Sequence, residues 1–175
     1  MMSARLAHQP APAIRVRVAR GRDLEALIEL ENRVFATDRL SRRSVRYLVQ
    51  SPSAAIMVAE GEGGHLVGTA IALFRRRSSV ARLYSIAVAP AMSGRGVASM
   101  LLAAAERTAR GRGCDVMRLE VHVSNHAAIT RYRKEGYQEF GRHRRYYEDG
   151  GDALRFQKQL TAGMRKRSDK RPHPR

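Results

Sequence analysis

Three stretches of the chain combine residue types and spacings that could do chemistry. The first is Ser93-Gly94-Arg95-Gly96-Val97-Ala98-Ser99, which follows an apolar run and opens a helical pattern. Small residues at Gly94, Gly96 and Ala98 let the main chain approach a ligand closely. N–H groups at a helix start suit a pyrophosphate, and Arg95 would add a charge-assisted contact. A short G-x-G before a helix is also an ordinary strand-to-helix turn, and the pattern alone does not separate the two readings. The second stretch carries Glu120, which alternates onto one strand face with Val116, Arg118 and His122. Such a face is no dry core, and Glu120 and His122 are both proton-moving types. A surface Glu paired with an Arg has the same pattern, and a strand histidine is usually structural or solvated. The third stretch runs from Asn125, a helix-capping type, to Tyr132 on the helix that follows. Cys114, near a strand start, reads as a small buried residue rather than a nucleophile.

Those residues need a scaffold, and the chain supplies alternating elements. Ile14, Val16 and Val18 alternate with Arg15, Arg17 and Ala19 as in a half-buried strand. Leu24, Leu27, Ile28, Glu31 and Phe35 fall at helical spacing, with Asp23 near the start. Ser41 is placed to cap a second short helix carrying Val45, Leu48 and Val49. Residues 54–59 and 65–74 read as a hairpin turning through Gly61, Gly63 and Gly64. Residues 83–89 form a further strand closed by Pro90. Val97, Leu101, Leu102, Ala105 and Ala109 then stripe a long helix that ends at Gly111 and Gly113. Residues 115–123 alternate strictly, with Met117, Leu119, Val121 and Val123 opposite Glu120. A short helix over 125–135 stops at Gly136. Residues 137–160 read as two strands joined by the turn Glu148-Asp149-Gly150-Gly151. This order predicts an α/β (α+β) domain built on a mixed central sheet.

The chain has 175 residues, 43% of them hydrophobic, and a formal charge of +17 from 33 Lys+Arg against 16 Asp+Glu. That length and composition fit one globular domain with a real core. Lys134, Lys158, Lys166 and Lys170 are the only lysines, so the charge is mostly arginine. A single cysteine excludes an intrachain disulfide framework and a Cys-rich zinc site, and no metal is expected. No apolar run approaches ~18 residues, so no membrane partner is expected. Residues 1–14 do not read as a secretory signal, and the default is a soluble cytoplasmic protein. Residues 1–13 read as a flexible lead. Residues 162–175, with six Lys/Arg and one Asp, read as a basic disordered tail, leaving 14–161 as the domain. The domain keeps about +11 by itself, which suits nucleic acid, a ribosome or a multiply phosphorylated ligand. An arginine-rich solvated surface has the same charge. Polycationic small substrates would be repelled, which disfavours polyamines and aminoglycosides.

Residues 86–106 and 119–141 together resemble the GNAT superfamily of acetyl-CoA-dependent N-acetyltransferases. The superfamily's pyrophosphate loop reads Gln/Arg-x-x-Gly-x-Gly/Ala before a long helix. The chain matches at Gly96 and Ala98 and departs at Ser93, where a longer polar residue is usual. Leu119-Glu120-Val121, Ser124-Asn125, Ala127-Ala128-Ile129, Tyr132 and Gly136-Tyr137 resemble the RimI-type branch, which acetylates protein N-termini. Arg144-Arg145-Tyr146-Tyr147 and the opening Leu30-Glu31-Asn32-Arg33-Val34-Phe35 with Thr37-Asp38-Arg39-Leu40-Ser41 extend that likeness. The likeness covers roughly 14–160 and is strongest over 83–147. It implies a GNAT-like sheet of about six to seven strands flanked by about four helices.

The resemblance also implies a reaction, attack of a neutral amine on the acetyl-CoA thioester. It assigns Glu120 as a base acting through water and Tyr132, with a phenol pKa near 10, as the acid for the leaving thiolate. His122 ranks second as base. The main chain of Ile86, Ala87 and Val88 would pair with the pantetheine arm, and an N–H there would serve the oxyanion. Ser93, Gly94, Arg95, Gly96, Val97, Ala98 and Ser99 would hold the pyrophosphate, and Asn125 would touch the cosubstrate while capping its helix. Residues 37–41 and the segment around Tyr146 and Tyr147 would flank the acceptor groove. Asp38 would receive a peptide ammonium or serve only as a turn residue. The expected acceptor is a primary amine of a protein or peptide, an N-terminus or a lysine, and the enzyme a monomer or homodimer. Two alternatives stay open: a GNAT toxin that acetylates aminoacyl-tRNA, and a non-catalytic module binding acetyl-CoA or RNA.

Overall fold

Seven strands pair into one sheet in the order β1-β2-β3-β4-β5-β7-β6. This is a computed structural model, and it describes residues 13–35 and 39–160. The expectations for Thr37, Asp38, most of the N-terminal lead and the basic tail fall outside those residues. The strands are β1 (Arg15–Val18), β2 (Ala54–Glu60), β3 (Leu66–Phe74), β4 (Val80–Val88), β5 (Val116–His122), β6 (Gln138–His143) and β7 (Ala153–Gln159). The helices are α1 (Leu24–Val34), α2 (Arg42–Gln50), α3 (Val97–Gly111) and α4 (His126–Lys134). Strands β1 to β4 pair antiparallel, each with the next. The helix α3 carries the chain back so that β4 and β5 pair in parallel, and β5, β7 and β6 are again antiparallel.

The burial pattern follows from what covers each face. Strand β2 is apolar on both faces because α1 and α2 cover one and α3 the other. Strand β5 alternates: Met117, Leu119 and Val121 enter the core, while Arg118, Glu120 and His122 stay partly exposed. Helix α3 lies close on β3 because Gly68 has no side chain. A Cβ there would stand 2.8 Å from Leu101 Cδ1 and 3.1 Å from the Ala87 carbonyl oxygen. Glu106 of α3 then ties the layers together, accepting from Tyr137 Oη at 3.0 Å and from Lys158 Nζ at 2.9 Å.

Local signals hold in most places. Ser41 Oγ accepts from Ser44 N at 3.1 Å, and Asn125 Oδ1 accepts from Ala128 N at 3.1 Å, so both serve as caps. Cys114 is buried, and burial pushes its thiol pKa up. Asp23 differs. Its carboxylate turns away from the α1 N–H groups to accept from both Arg17 Nη atoms, at 2.7 and 2.8 Å. The last hairpin also differs from expectation. Strand β6 ends at His143, so residues 144–152 form a nine-residue connection wider than a turn at 148–151.

Candidate active site

The site begins where β4 and β5 stop pairing. The β3–β4 ladder passes from Ile71↔Ser85 to Ala72↔Leu83, which leaves Tyr84 as an extra, bulged residue. A bulge bends and twists its strand. The parallel β4–β5 pairing runs only from Val80↔Val116 to Leu83↔Leu119, although both strands continue. Beyond it lies a cleft of about 680 Å³. Its walls are Arg82 to Ile86 of β4, Glu120 to His122 of β5, Asn125, Ala128, Arg131 and Tyr132 of the α4 segment, and Tyr146 to Asp149 of the last connection. Glu31, Val34, Phe35 and Leu40 close the side formed by α1.

Glu120 is held rather than solvated. Arg82 Nε donates to its Oε2 at 2.8 Å. Its Oε1 lies 4.0 Å from Arg155 Nε, beyond hydrogen-bond reach. Arg82 also donates through Nη2 to Tyr146 Oη, linking β4 to the last connection. Burial works against the charge on Arg82, and Glu120 together with Tyr146 more than restores it. Glu120 is thus both a cleft acid and a partner of an arginine, as its strand pattern allowed.

Tyr132 is 5% exposed and packs edge-on to Tyr137 with ring centroids 5.7 Å apart. Burial pushes its phenol up to about 12, above the value of 10 expected for an ordinary tyrosine. His122 is engaged at both nitrogens. Its Nδ1 accepts from Ser124 N at 3.1 Å, so the ring proton sits on Nε2 and faces Asp149 Oδ2 at 3.0 Å. The Gly151 N–H and His122 hold the Asp149 carboxyl below its ordinary range.

The glycine loop lies past the end of β4, outside the cleft walls. Gly94 and Gly96 have φ of +76° and +75°, the left-handed region that glycine adopts without strain. Ser93 to Gly96 are exposed, and α3 starts at Val97 with no side chain capping its first N–H groups. Those orphan donors at Val97, Ala98 and Ser99 are the kind an anion satisfies. Of the other predicted residues, Ile86 and Asn125 line the cleft, whereas Ala87 and Val88 continue along β4 without lining it. Among the described residues no three His, Cys, Asp or Glu side chains gather as a metal would require. No helix among them is long and apolar enough to cross a membrane.

Several participants were not singled out from sequence. Arg82 alternates with the buried Ala81 and Leu83, which marks an exposed strand position but not its partner across the sheet. Arg155 faces Glu120 only through the β5–β7 register. The net charge of the chain also misleads locally. The cleft walls carry Glu31, Glu120, Glu148 and Asp149 against Arg82 and Arg131.

Comparison with known proteins agrees with this geometry. Residues 24–137 match the acetyltransferase (GNAT) family. A Bacillus subtilis protein with the provisional name ribosomal-protein-bS18-alanine N-acetyltransferase is 31% identical over 140 residues, 79% of this chain and 91% of that protein. The N-alpha-acetyltransferase RimI of Mycobacterium tuberculosis is 40% identical over 99 residues, 55% of this chain and 61% of that protein. The crystal structure of the ribosomal-protein-S18-alanine N-acetyltransferase from Escherichia coli superposes with a TM-score of 0.78 at 25% identity. It covers 90% of this chain and 100% of that one. The diverging β4 and β5, the glycine loop before α3 and these similarities agree: the chain belongs to the GNAT acetyltransferase family, as an acetyl-CoA-dependent N-acetyltransferase of RimI-like type.

Proposed function

We propose that this enzyme acetylates the α-amine at the N-terminus of a protein or peptide, with Glu120 as base and Tyr132 as acid. The observation that best supports the reading is that one cleft takes Glu120 from β5 and Tyr132 from α4, on the side where β4 and β5 part. The relatives named for ribosomal-protein alanine acetylation support the same acceptor class. A lysine amine is the second choice.

In this reading the main chain of Ile86, Ala87 and Val88 pairs with the pantetheine arm as an added strand. The N–H groups from Ser93 to Ser99, with Arg95, take the pyrophosphate. Asn125 touches the cosubstrate while its side chain caps α4. Glu120 Oε1, clear of hydrogen bonds to Arg155, holds a water that removes the ammonium proton. The neutral amine attacks the thioester carbonyl. A C–N bond forms, a β4 N–H stabilises the oxyanion, and collapse breaks the C–S bond. The nitrogen loses its second proton and the thiolate gains one. Tyr132 stays protonated at neutral pH and donates to the departing sulfur. Because burial opposes a tyrosinate, its proton is replaced as the new amide sheds its own.

The last connection forms the acceptor wall, with Tyr146, Tyr147 and Asp149 latched to Arg82 and His122. Gly151 permits that latch, because a Cβ on it would stand 2.0 Å from His122 Nε2. Gly151→Ala is therefore expected to lower acceptor kcat/KM on the order of ten- to a hundredfold by misplacing the wall. The KM for acetyl-CoA should hold. Kinetics with each substrate varied in turn check this, and unchanged acceptor kcat/KM would deny the wall its part.

The basic composition supports contact with the ribosome or its RNA during cytoplasmic action on a ribosomal protein. The test uses radiolabelled acetyl-CoA with a cell lysate divided into protein, tRNA and small-molecule fractions. Label in protein is the expected result. Label in tRNA, with turnover falling steeply with salt, would favour aminoacyl-tRNA instead. Label nowhere, with CoA still bound, would favour the non-catalytic module.

A further inference from the structure

We propose that Glu31 is the acceptor-binding carboxylate of the cleft and receives the ammonium of the incoming N-terminal residue. The proposal rests on the amine-acetylation reading above and adds a residue to it. Glu31 lies in the apolar stripe of α1 and is 2% exposed, yet it lines the same cleft as Glu120 and Tyr132. Its Oε1 is buried with no hydrogen-bond partner. A buried carboxyl oxygen without a donor is costly, and such atoms in native proteins have a partner to meet.

The surroundings narrow what that partner is. Val34, Phe35 and Leu40 share this wall of the cleft and offer apolar side chains. Burial drives the Glu31 carboxyl above its ordinary range, and the Leu40 main-chain N–H works against that shift. Arg82, the arginine of the β4 wall, is committed to Glu120 and Tyr146. Among the described residues Glu31 Oε1 meets no hydrogen-bond donor, so an entering ligand can bring one. A primary ammonium with a short apolar side chain matches both features: its N–H groups meet Oε1, and the side chain meets Val34, Phe35 and Leu40. Glu31 thereby selects and holds the amine, while Glu120 on the β5 wall receives the proton.

Glu31→Gln keeps the shape and a carbonyl oxygen for the Leu40 N–H but removes the negative charge. With a synthetic decapeptide beginning in alanine, the variant is expected to raise the peptide KM about tenfold or more, the loss of one charge-assisted contact. The KM for acetyl-CoA and the melting temperature should not fall, which separates this role from a structural one. Unchanged peptide KM in a wild type that acetylates the decapeptide would overturn the proposal and leave the proposed function standing. If wild type does not acetylate the decapeptide, that failure belongs to the acceptor reading. Calorimetric titration with alaninamide then decides Glu31 alone. Binding by wild type that is lost in Glu31→Gln supports the role, and equal binding, or binding by neither, overturns it.

Discussion

Glu120→Gln and Tyr132→Phe should each lower kcat by roughly 10²–10³-fold, the range of a positioned acid or base. Acetyl-CoA affinity should hold in both, because neither side chain belongs to the glycine loop. The glutamine keeps an oxygen for Arg82 but cannot take a proton through water. The phenylalanine keeps the packing against Tyr137 and Phe156 but has no hydroxyl for the sulfur. Rapid-quench and steady-state rates, with acetyl-CoA binding measured separately, check both. Wild-type rates in both variants would remove the two residues from the chemistry. The pH profile adds a second check. With the Tyr132 phenol pushed up to about 12, its ionisation causes no loss of rate at ordinary assay pH. Stability carries the matching sign. Above 10 the unfolded chain releases this proton while the folded chain keeps it, so the contribution of Tyr132 is lost as pH climbs towards about 12.

Gly96→Ala should raise the KM for acetyl-CoA on the order of tenfold or more. A Cβ at Gly96 would meet no atom within 4 Å, so crowding is not the obstacle. The obstacle is the φ of +75°, which costs an L-residue about 1–2 kcal/mol. The loop would relax towards negative φ and swing the first α3 N–H groups away from the pyrophosphate. Gly113→Ala supplies the control, since Gly113 has φ of +80° and equally open space past the other end of α3. Both variants should lose similar stability in urea denaturation, and only Gly96→Ala should weaken acetyl-CoA. Equal acetyl-CoA kinetics in the two would contradict the loop's assignment.

Much of this site could be read along the chain because it depends on local rules. Alternation over β5 put Glu120 and His122 on the face away from the core, and the glycines marked the loop where α3 begins. The caps at Ser41 and Asn125 need only a residue type and a following helix. What could not be read depends on register and on contacts between distant elements. Arg82 meets Glu120 because α3 returns the chain to pair β5 in parallel with β4, and the Tyr84 bulge that opens the cleft is a mismatch between two strands. Asp149 read as a turn residue, and it does accept from the Gly151 N–H at 2.8 Å. Its second partner, His122, is 27 positions away. Glu31 entered the helical pattern as one position of the buried stripe of α1, and only the folded cleft explains an acid there. Asp23 followed a long-range pull of the same kind, towards Arg17 of β1.

The most direct test incubates the purified enzyme with acetyl-CoA and an alanine-initiated peptide that also contains lysine, then locates the acetyl group by mass spectrometry. Acetyl on the α-amine, formed by wild type and about a hundredfold more slowly by Glu120→Gln, is the predicted result. Acetyl on the lysine alone, or transfer that does not depend on Glu120, would contradict the account.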